Sequence, residues 1–208
     1  MKGVVLAAGA GTRLRPLTLT TPKALCPVGG RPLLEWALER IRPYVDEVAV
    51  NVHHHAAQML AALAPLDVHV SLEAPTALGT AGALGRLREW VAGEAVLLTN
   101  ADAWHPPTDV RPVLDGFVHG WDGDRVRLLT VREPRPGDFG DLRYTGTALL
   151  PWWSVRDLPS EPGGLYEVSW RRWHAHGRVD LVETDVVSID CGTPGDLARA
   201  DALARLGE

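Results

Sequence analysis

Short apolar runs alternate with helical patterns along the whole chain, and this alternation limits the fold more than any other feature. Residues 3–7, Gly3-Val4-Val5-Leu6-Ala7, read as a short buried strand. Residues 32–41 place Leu34, Ala37, Leu38 and Ile41 on one helical face. Further strands are expected at 47–52, 68–72, 95–99, 125–131 and 144–150, with a last one near 186–189. Helices are expected at 55–63, 81–91 and 109–118. The final helix has a defined start: Thr193 caps it, Pro194 fits its first turn and Asp196 follows the cap by three residues. The Pro/Gly-rich stretches 134–140 and 159–164 read as loops. Strands alternating with helices imply an α/β fold with a mostly parallel central sheet flanked by helices. No repeat or linker divides the 208 residues, so a single domain over 1–208 is expected.

Composition excludes several classes. The chain is 46% hydrophobic and 23% charged, which is ordinary for a globular domain. Two cysteines, Cys26 and Cys191, are too few for a disulfide scaffold. No apolar run approaches the roughly 18 residues of a membrane span. The opening strand turns into glycines too early for a signal peptide, so a cytoplasmic location with reduced thiols is expected. A net charge of −5 argues against a nucleic-acid partner. The charge is unevenly spread. The first 34 residues hold Lys2, Arg13, Arg15, Lys23 and Arg31 and no acid, which leaves −10 for the rest. Such an island points to an anion site. Lys2 and Lys23 are the only lysines among 21 basic residues, so Lys23 stands out against an arginine background.

Ligands in parallel sheets bind beyond the carboxyl ends of the strands. The first strand runs into Leu6-Ala7-Ala8-Gly9-Ala10-Gly11-Thr12-Arg13-Leu14-Arg15-Pro16-Leu17-Thr18. Glycines and small alanines there let backbone N–H groups approach phosphate oxygens. A dinucleotide fingerprint needs a third glycine where Leu14 stands, and a P-loop needs Gly-Lys-Ser/Thr; neither is present.

This stretch, completed by Pro22-Lys23, resembles the signature of the sugar-phosphate nucleotidyltransferases. Three later segments are similar to motifs of the same family: Gly79-Thr80-Ala81-Gly82, Asn100-Ala101-Asp102 and Asp190-Cys191-Gly192-Thr193-Pro194. The short mannose-1-phosphate guanylyltransferase-like and N-acetylmuramate-1-phosphate uridylyltransferase-like members are the most similar in pattern. The resemblance implies a Rossmann-like fold of the nucleotidyltransferase and glycosyltransferase-A type. It implies transfer of a nucleoside monophosphate from an NTP to a sugar 1-phosphate, with Mg²⁺ as cofactor and pyrophosphate released. GTP is favoured narrowly over UTP, because Gly79-Thr80-Ala81-Gly82 leaves room for a purine. No C-terminal β-helix is expected, no membrane partner either, and homo-oligomerisation is left open.

The resemblance also distributes roles. Arg13, Lys23 and Asp102 are the expected catalytic residues, and Asp102 and Asp190 the expected metal ligands. Leu6, Ala7, Ala8, Gly9, Ala10, Gly11, Thr12 and Arg13 would line the triphosphate, with Gly79, Thr80 and Gly82 near the base. Asn100, Arg132 and Gly146 would meet the sugar phosphate. Many relatives carry Val-Glu-Lys-Pro, where this chain has Val131-Arg132-Glu133-Pro134, so Arg132 or Arg135 is the expected substitute for the missing lysine. Two other readings stay open on these residues: transfer to a non-sugar phosphate such as phosphocholine, and a weakly catalytic subunit that senses nucleotide sugars. His53-His54-His55 reads as a strand-end triplet, Trp152-Trp153, Trp170 and Trp173 as core or subunit contact, and Cys191 as a small buried residue.

Overall fold

The structure is a computed structural model; it describes residues 1–207, and the side chains of all of these except 134–136. Strands β1 (Lys2–Leu6), β4 (Glu47–Val52), β5 (His69–Leu72), β6 (Val96–Asn100), β8 (Val126–Gly137), β9 (Gly140–Leu150) and β10 (Val179–Glu183) form one seven-stranded sheet in the order β10-β8-β9-β6-β1-β4-β5. Two small ribbons stand beside it. One pairs β2 (Pro27–Val28) with β3 (Arg31–Pro32), the other β7 (Ala103–Trp104) with β11 (Ile189–Asp190). The helices are α1 (Leu33–Ile41), α2 (Ala56–Leu63), α3 (Gly79–Val91), α4 (Pro107–His119), α5 (Trp152–Val155), α6 (Arg171–Ala175) and α7 (Pro194–Leu206). Only β9 runs antiparallel to its neighbours in the main sheet, so the sheet is mostly parallel as expected.

The period-two alternation of the strands sorts the core into two layers. Val5, Leu97, Leu129 and Leu149 pack with Leu34, Leu38, Ile41, Met59 and Leu114 of α1, α2 and α4 on one face. Their immediate neighbours Val4, Leu98, Leu128 and Ala148 pack with Leu84, Leu87 and Trp170 on the other. A third cluster of Leu14, Cys26, Leu33, Trp104, Ile189, Cys191 and Ala200 lies beneath the signature loop and α7. Each fully buried leucine contributes about 1.5–3 kcal/mol by leaving water.

Three elements depart from the sequence reading. The 134–140 stretch is not a loop: β8 continues to Gly137 and turns directly into β9. β10 covers β8 only from Val126 to Thr130, so one side of 131–137 is an edge, where proline sacrifices no ladder bond. Near 186–189 the chain forms only the two-residue strand Ile189–Asp190, antiparallel to Ala103–Trp104. The sheet edge is instead Val179–Glu183, whose acids Asp180 and Glu183 face Arg125 and Arg132 across the strand pair. Their charges hide the apolar pattern. The Thr193 cap holds as expected: Asp196 N–H donates to Thr193 Oγ1 at 3.2 Å.

Candidate active site

The sheet order changes direction at β1, with β4 on one side and β6 on the other, so the crevice falls beyond their carboxyl ends. Residues 7–14 leave β1 into that crevice. Ala7 N–H donates to Asn51 Oδ1 at 2.6 Å, and Leu14 is fully buried at the far end. Between them, among the described residues, the N–H groups of Ala8 to Thr12 meet no protein acceptor. Gly11 has φ +60, and a Cβ there would lie 2.8 Å from Thr18 Cγ2 and 3.1 Å from Lys23 Cβ. Thr18 Oγ1 donates to Gly11 O at 2.7 Å. A loop pinned at both ends, with unspent donors between, has the make-up of an anion cradle.

The charged residues gather beside this cradle. The two-residue ribbon pairs Ala103 with Asp190, and Cys191 N–H donates to Asp102 O at 2.9 Å. Two carboxylates far apart in sequence therefore share one place. Lys23 Nζ contacts Asp102 Oδ2 closely and Asp190 Oδ1 at 3.5 Å. Arg13 Nη2 donates to Asp190 Oδ2 at 3.2 Å. Gly192 makes this approach feasible, since a Cβ there would sit 2.5 Å from Arg13 Nη2. The Lys23 side chain is 10% exposed and those of Asp102 and Asp190 are 32% and 50%, so the acids stay open to a ligand.

Mg²⁺ requires hard oxygen donors and commonly takes one or two carboxylates with substrate phosphates and water. Among the described residues no group of three or more metal-ligating side chains exists. Asp102 and Asp190, already drawn around one ammonium, are a donor set that fits this partial demand. They would hold the ion, which when bound neutralises phosphate charge.

A cleft of about 460 Å³ continues from here, lined by Asn100, Asp102, Glu133, Asp138, Arg143 and Gly146. Gly146 has φ +89 and lies where a Cβ would be 2.6 Å from Ala103 Cβ. Arg132 is not part of this lining. Its guanidinium is held by Glu183 at 2.7 and 2.8 Å and by Asp141. The side chain of Arg135 falls outside the described residues. The arginine that does line the cleft is Arg143, which sequence reasoning missed. It donates to Ser188 O at 2.9 Å and pairs closely with Glu133. Its signal was its place in the strand leading into Thr145-Gly146.

The start of α3 is shaped by the segment 158–165. Gly79, at φ +67, has Gly163 O at 2.6 Å from the position of a Cβ; for Gly82 and Gly85 the nearest atoms are Glu161 O and Pro159 O, both at 2.2 Å. Thr80 Oγ1 accepts from Leu165 N–H at 2.7 Å. Two residues absent from the sequence expectations link this helix to the cradle. Glu73, 1% exposed, accepts from Leu78 N–H and from Asn51 Nδ2, both at 2.7 Å, and Asn51 accepts from Ala7. Asn51, the one polar residue among the buried positions of the strand Glu47–Val52, was the available signal.

The histidines split their tasks. His53 and His55 bond to Glu73 O and Thr18 O, at 2.8 and 3.0 Å. Burial, then its histidine neighbours, lower the pKa of His54. Trp153 and Trp173 meet edge to face at 5.1 Å, and Trp170 is buried. Burial, with Asp102 nearby, pushes the Cys191 thiol up to about 12, so it stays protonated and is no nucleophile.

Unspent backbone donors, two cations and two carboxylates lie together at the switch point of a mostly parallel sheet, an arrangement that suits nucleotidyl transfer. Residues 3–133 match the MobA-like NTP transferase domain, and the chain belongs to that family. It is 30% identical to the N-acetylmuramate alpha-1-phosphate uridylyltransferase of Caulobacter vibrioides, over 99% of this chain and 96% of that protein. It is 34% identical to mannose-1-phosphate guanylyltransferase 1 of Arabidopsis thaliana, over 67% of this chain and 40% of that one. A Bacillus anthracis protein assigned as a glucose-1-phosphate thymidylyltransferase, solved with sucrose, has the same fold: the TM-score is 0.82 at 22% identity, over 99% of this chain and 95% of that one. No helix among the described residues is long and apolar enough to cross a membrane.

Proposed function

We propose that the chain joins a nucleoside monophosphate to a sugar 1-phosphate. The observation that carries this reading is the meeting of Lys23, Arg13, Asp102 and Asp190 beside the free N–H groups of Ala8 to Thr12. In the reaction a phosphate oxygen of the sugar 1-phosphate attacks the α-phosphorus of the NTP. The bond from that phosphorus to the bridging oxygen breaks, and pyrophosphate leaves with the electron pair. The nucleophile is already an oxyanion, so no general base is needed. Catalysis is then positioning and charge stabilisation. The cradle and Arg13 bind the outer phosphates, and Lys23 places a compact charge at the α-phosphate. Asp102 and Asp190 hold Mg²⁺. Asn100 and Gly146 border the sugar phosphate. Arg143 supplies the cation that the family lysine gives elsewhere, since Arg143 and not Arg132 lines the cleft.

For the nucleotide we propose UTP ahead of GTP. The expectation of GTP rested on the small residues at 79–82, and close packing against 161–163 is sufficient reason for those glycines. Small residues admit a base without selecting it; selection needs placed hydrogen bonds. The full-length similarity to a uridylyltransferase supports UTP. The test is pyrophosphate release from the four common NTPs against a panel of sugar 1-phosphates and phosphocholine. UTP with a sugar 1-phosphate should give the highest kcat/KM. Preference for phosphocholine, or nucleotide-sugar binding without turnover, would replace this reading.

A further inference from the structure

Behind the turn that carries Asp102 lies a buried cation that the reaction chemistry does not use. Arg40, near the end of α1, is 8% exposed. Its Nη1 donates to Ala103 O at 2.7 Å, and its Nη2 donates to Thr99 Oγ1 at 2.6 Å and Asn100 O at 3.2 Å. These three acceptors bracket Asp102 from both sides in sequence. Among the described residues Arg40 forms no ion pair with a carboxylate. Burial lowers its pKa to about 10, with Tyr144 and then Asp102 acting in the opposite sense, so it remains charged at neutral pH. A buried charge without an ion-pair partner is costly. The neighbouring buried positions of α1 are Ala37, Leu38 and Ile41, and packing alone asks for one more of these.

The surroundings agree. A cavity of about 120 Å³ between α1 and α4 is lined by Trp36, Glu39, Arg40, His105, Val110 and Leu114. Arg40 Nε and His105 Nε2 meet no protein partner there. His105 Nδ1 lies 3.2 Å from Val187 O and donates to it, which leaves Nε2 as a bare acceptor. Arg40 therefore lines a small cavity while its guanidinium donors face the turn.

We propose that Arg40 is a positioning residue, which fixes the 99–103 turn so that the Asp102 carboxylate stands where it would hold the metal ion. Every hydrogen bond it donates lands on that turn, and Asp102 is the turn's one ionised side chain. Groups that orient metal ligands from behind typically change metal affinity by about 10–100-fold when removed. The proposal rests on Asp102 being a metal ligand.

The test uses the full chain with a non-hydrolysable NTP analogue and Mn²⁺, whose binding is read by electron paramagnetic resonance. Asp102→Asn, Arg40→Met and Arg40→Lys are compared, with folding checked by near-UV circular dichroism. Arg40→Lys is the variant retained if Arg40→Met does not fold, since lysine keeps the charge but cannot bridge three acceptors. Each folded Arg40 variant should bind Mn²⁺ at least about 10-fold more weakly. In a separate turnover assay with the hydrolysable NTP and a sugar 1-phosphate, its kcat should fall in parallel, while KM for the NTP stays near wild type. Wild-type Mn²⁺ affinity in folded Arg40→Lys, with Asp102→Asn impaired, overturns the role of Arg40. Wild-type affinity in Asp102→Asn overturns instead the reading of the site on which it rests.

Discussion

Replacing Lys23 by arginine separates a chemical role from a compositional accident. The chain uses arginine at nearly every other basic position, so a surface lysine would tolerate the exchange. Lys23 is not on the surface: its side chain is 10% exposed, its ammonium touches two carboxylates, and its Cβ lies 3.1 Å from the Cβ position of Gly11. The head group therefore sits between two carboxylates in a partly closed site. Deleting one preorganised donor at a charge-developing oxygen costs about 10²–10³ in turnover, or about 3–4 kcal/mol, so Lys23→Ala should fall in that range. Lys23→Arg keeps the charge but spreads it over a planar fork. It should lose at least ~10-fold, about 1.4 kcal/mol. Stability should hardly move. Asp102 and Asp190 are 32% and 50% exposed, and ion pairs so open to water contribute about 1 kcal/mol or less. Steady-state pyrophosphate release gives kcat, and thermal unfolding in the same buffer gives stability. Wild-type kinetics in Lys23→Arg would refute the reasoning and leave the α-phosphate to Arg13 and metal.

Other expectations follow from the same geometry. Asp102→Asn and Asp190→Asn should each abolish turnover in a folded protein, as should excess chelator with wild type; activity in any of these arms removes the metal assignment. Gly82→Ala would place a methyl 2.2 Å from Glu161 O and 3.0 Å from Glu161 C. Overpacking against backbone should cost about 2 kcal/mol, lowering Tm by about 4–8 °C in calorimetry; an unchanged Tm contradicts the packing account of the 79–82 glycines. His105 has its pKa lowered from 6.5 to about 3, first by burial and then by the charge of Arg40. The unfolded chain therefore takes up the proton first, and stability falls as pH drops from about 6.5 toward about 3. Between pH 6.5 and 5 the loss should be about 2 kcal/mol, and His105→Gln should remove it from urea-unfolding curves. An identical acid loss in both proteins would show that His105 is not its source.

The sequence made the site more legible than its frame. Strands such as 3–7 and 95–98 are apolar runs because both faces are buried, and the turns after them carry charged residues that gather at the candidate site. What stayed hidden depends on partners distant in sequence. The strand Val179–Glu183 is cut by acids whose arginines lie on β8 or just before it, so its alternation reads as noise until the pairing is known. Arg143 enters the cleft because β9 inserts between β8 and β6, and no local pattern announces that insertion. Asn51, Glu73 and Arg40 each carry buried hydrogen bonds to backbone groups of other elements. Read alone, each is one more polar residue beside an apolar run. The glycines of 79–82 show the converse: a motif read for what it could bind is also required by what packs on it, and packing alone accounts for its small residues.

The most direct measurement of the central claim is phosphorus-31 NMR of the complete reaction: NTP, sugar 1-phosphate, Mg²⁺ and the full chain. The account predicts equal growth of pyrophosphate and of one diphosphate-linked nucleotide sugar, dependent on both substrates and lost in Asp102→Asn with Asp190→Asn. Pyrophosphate formed without the sugar 1-phosphate, or a nucleotide sugar formed by the double variant, would contradict it.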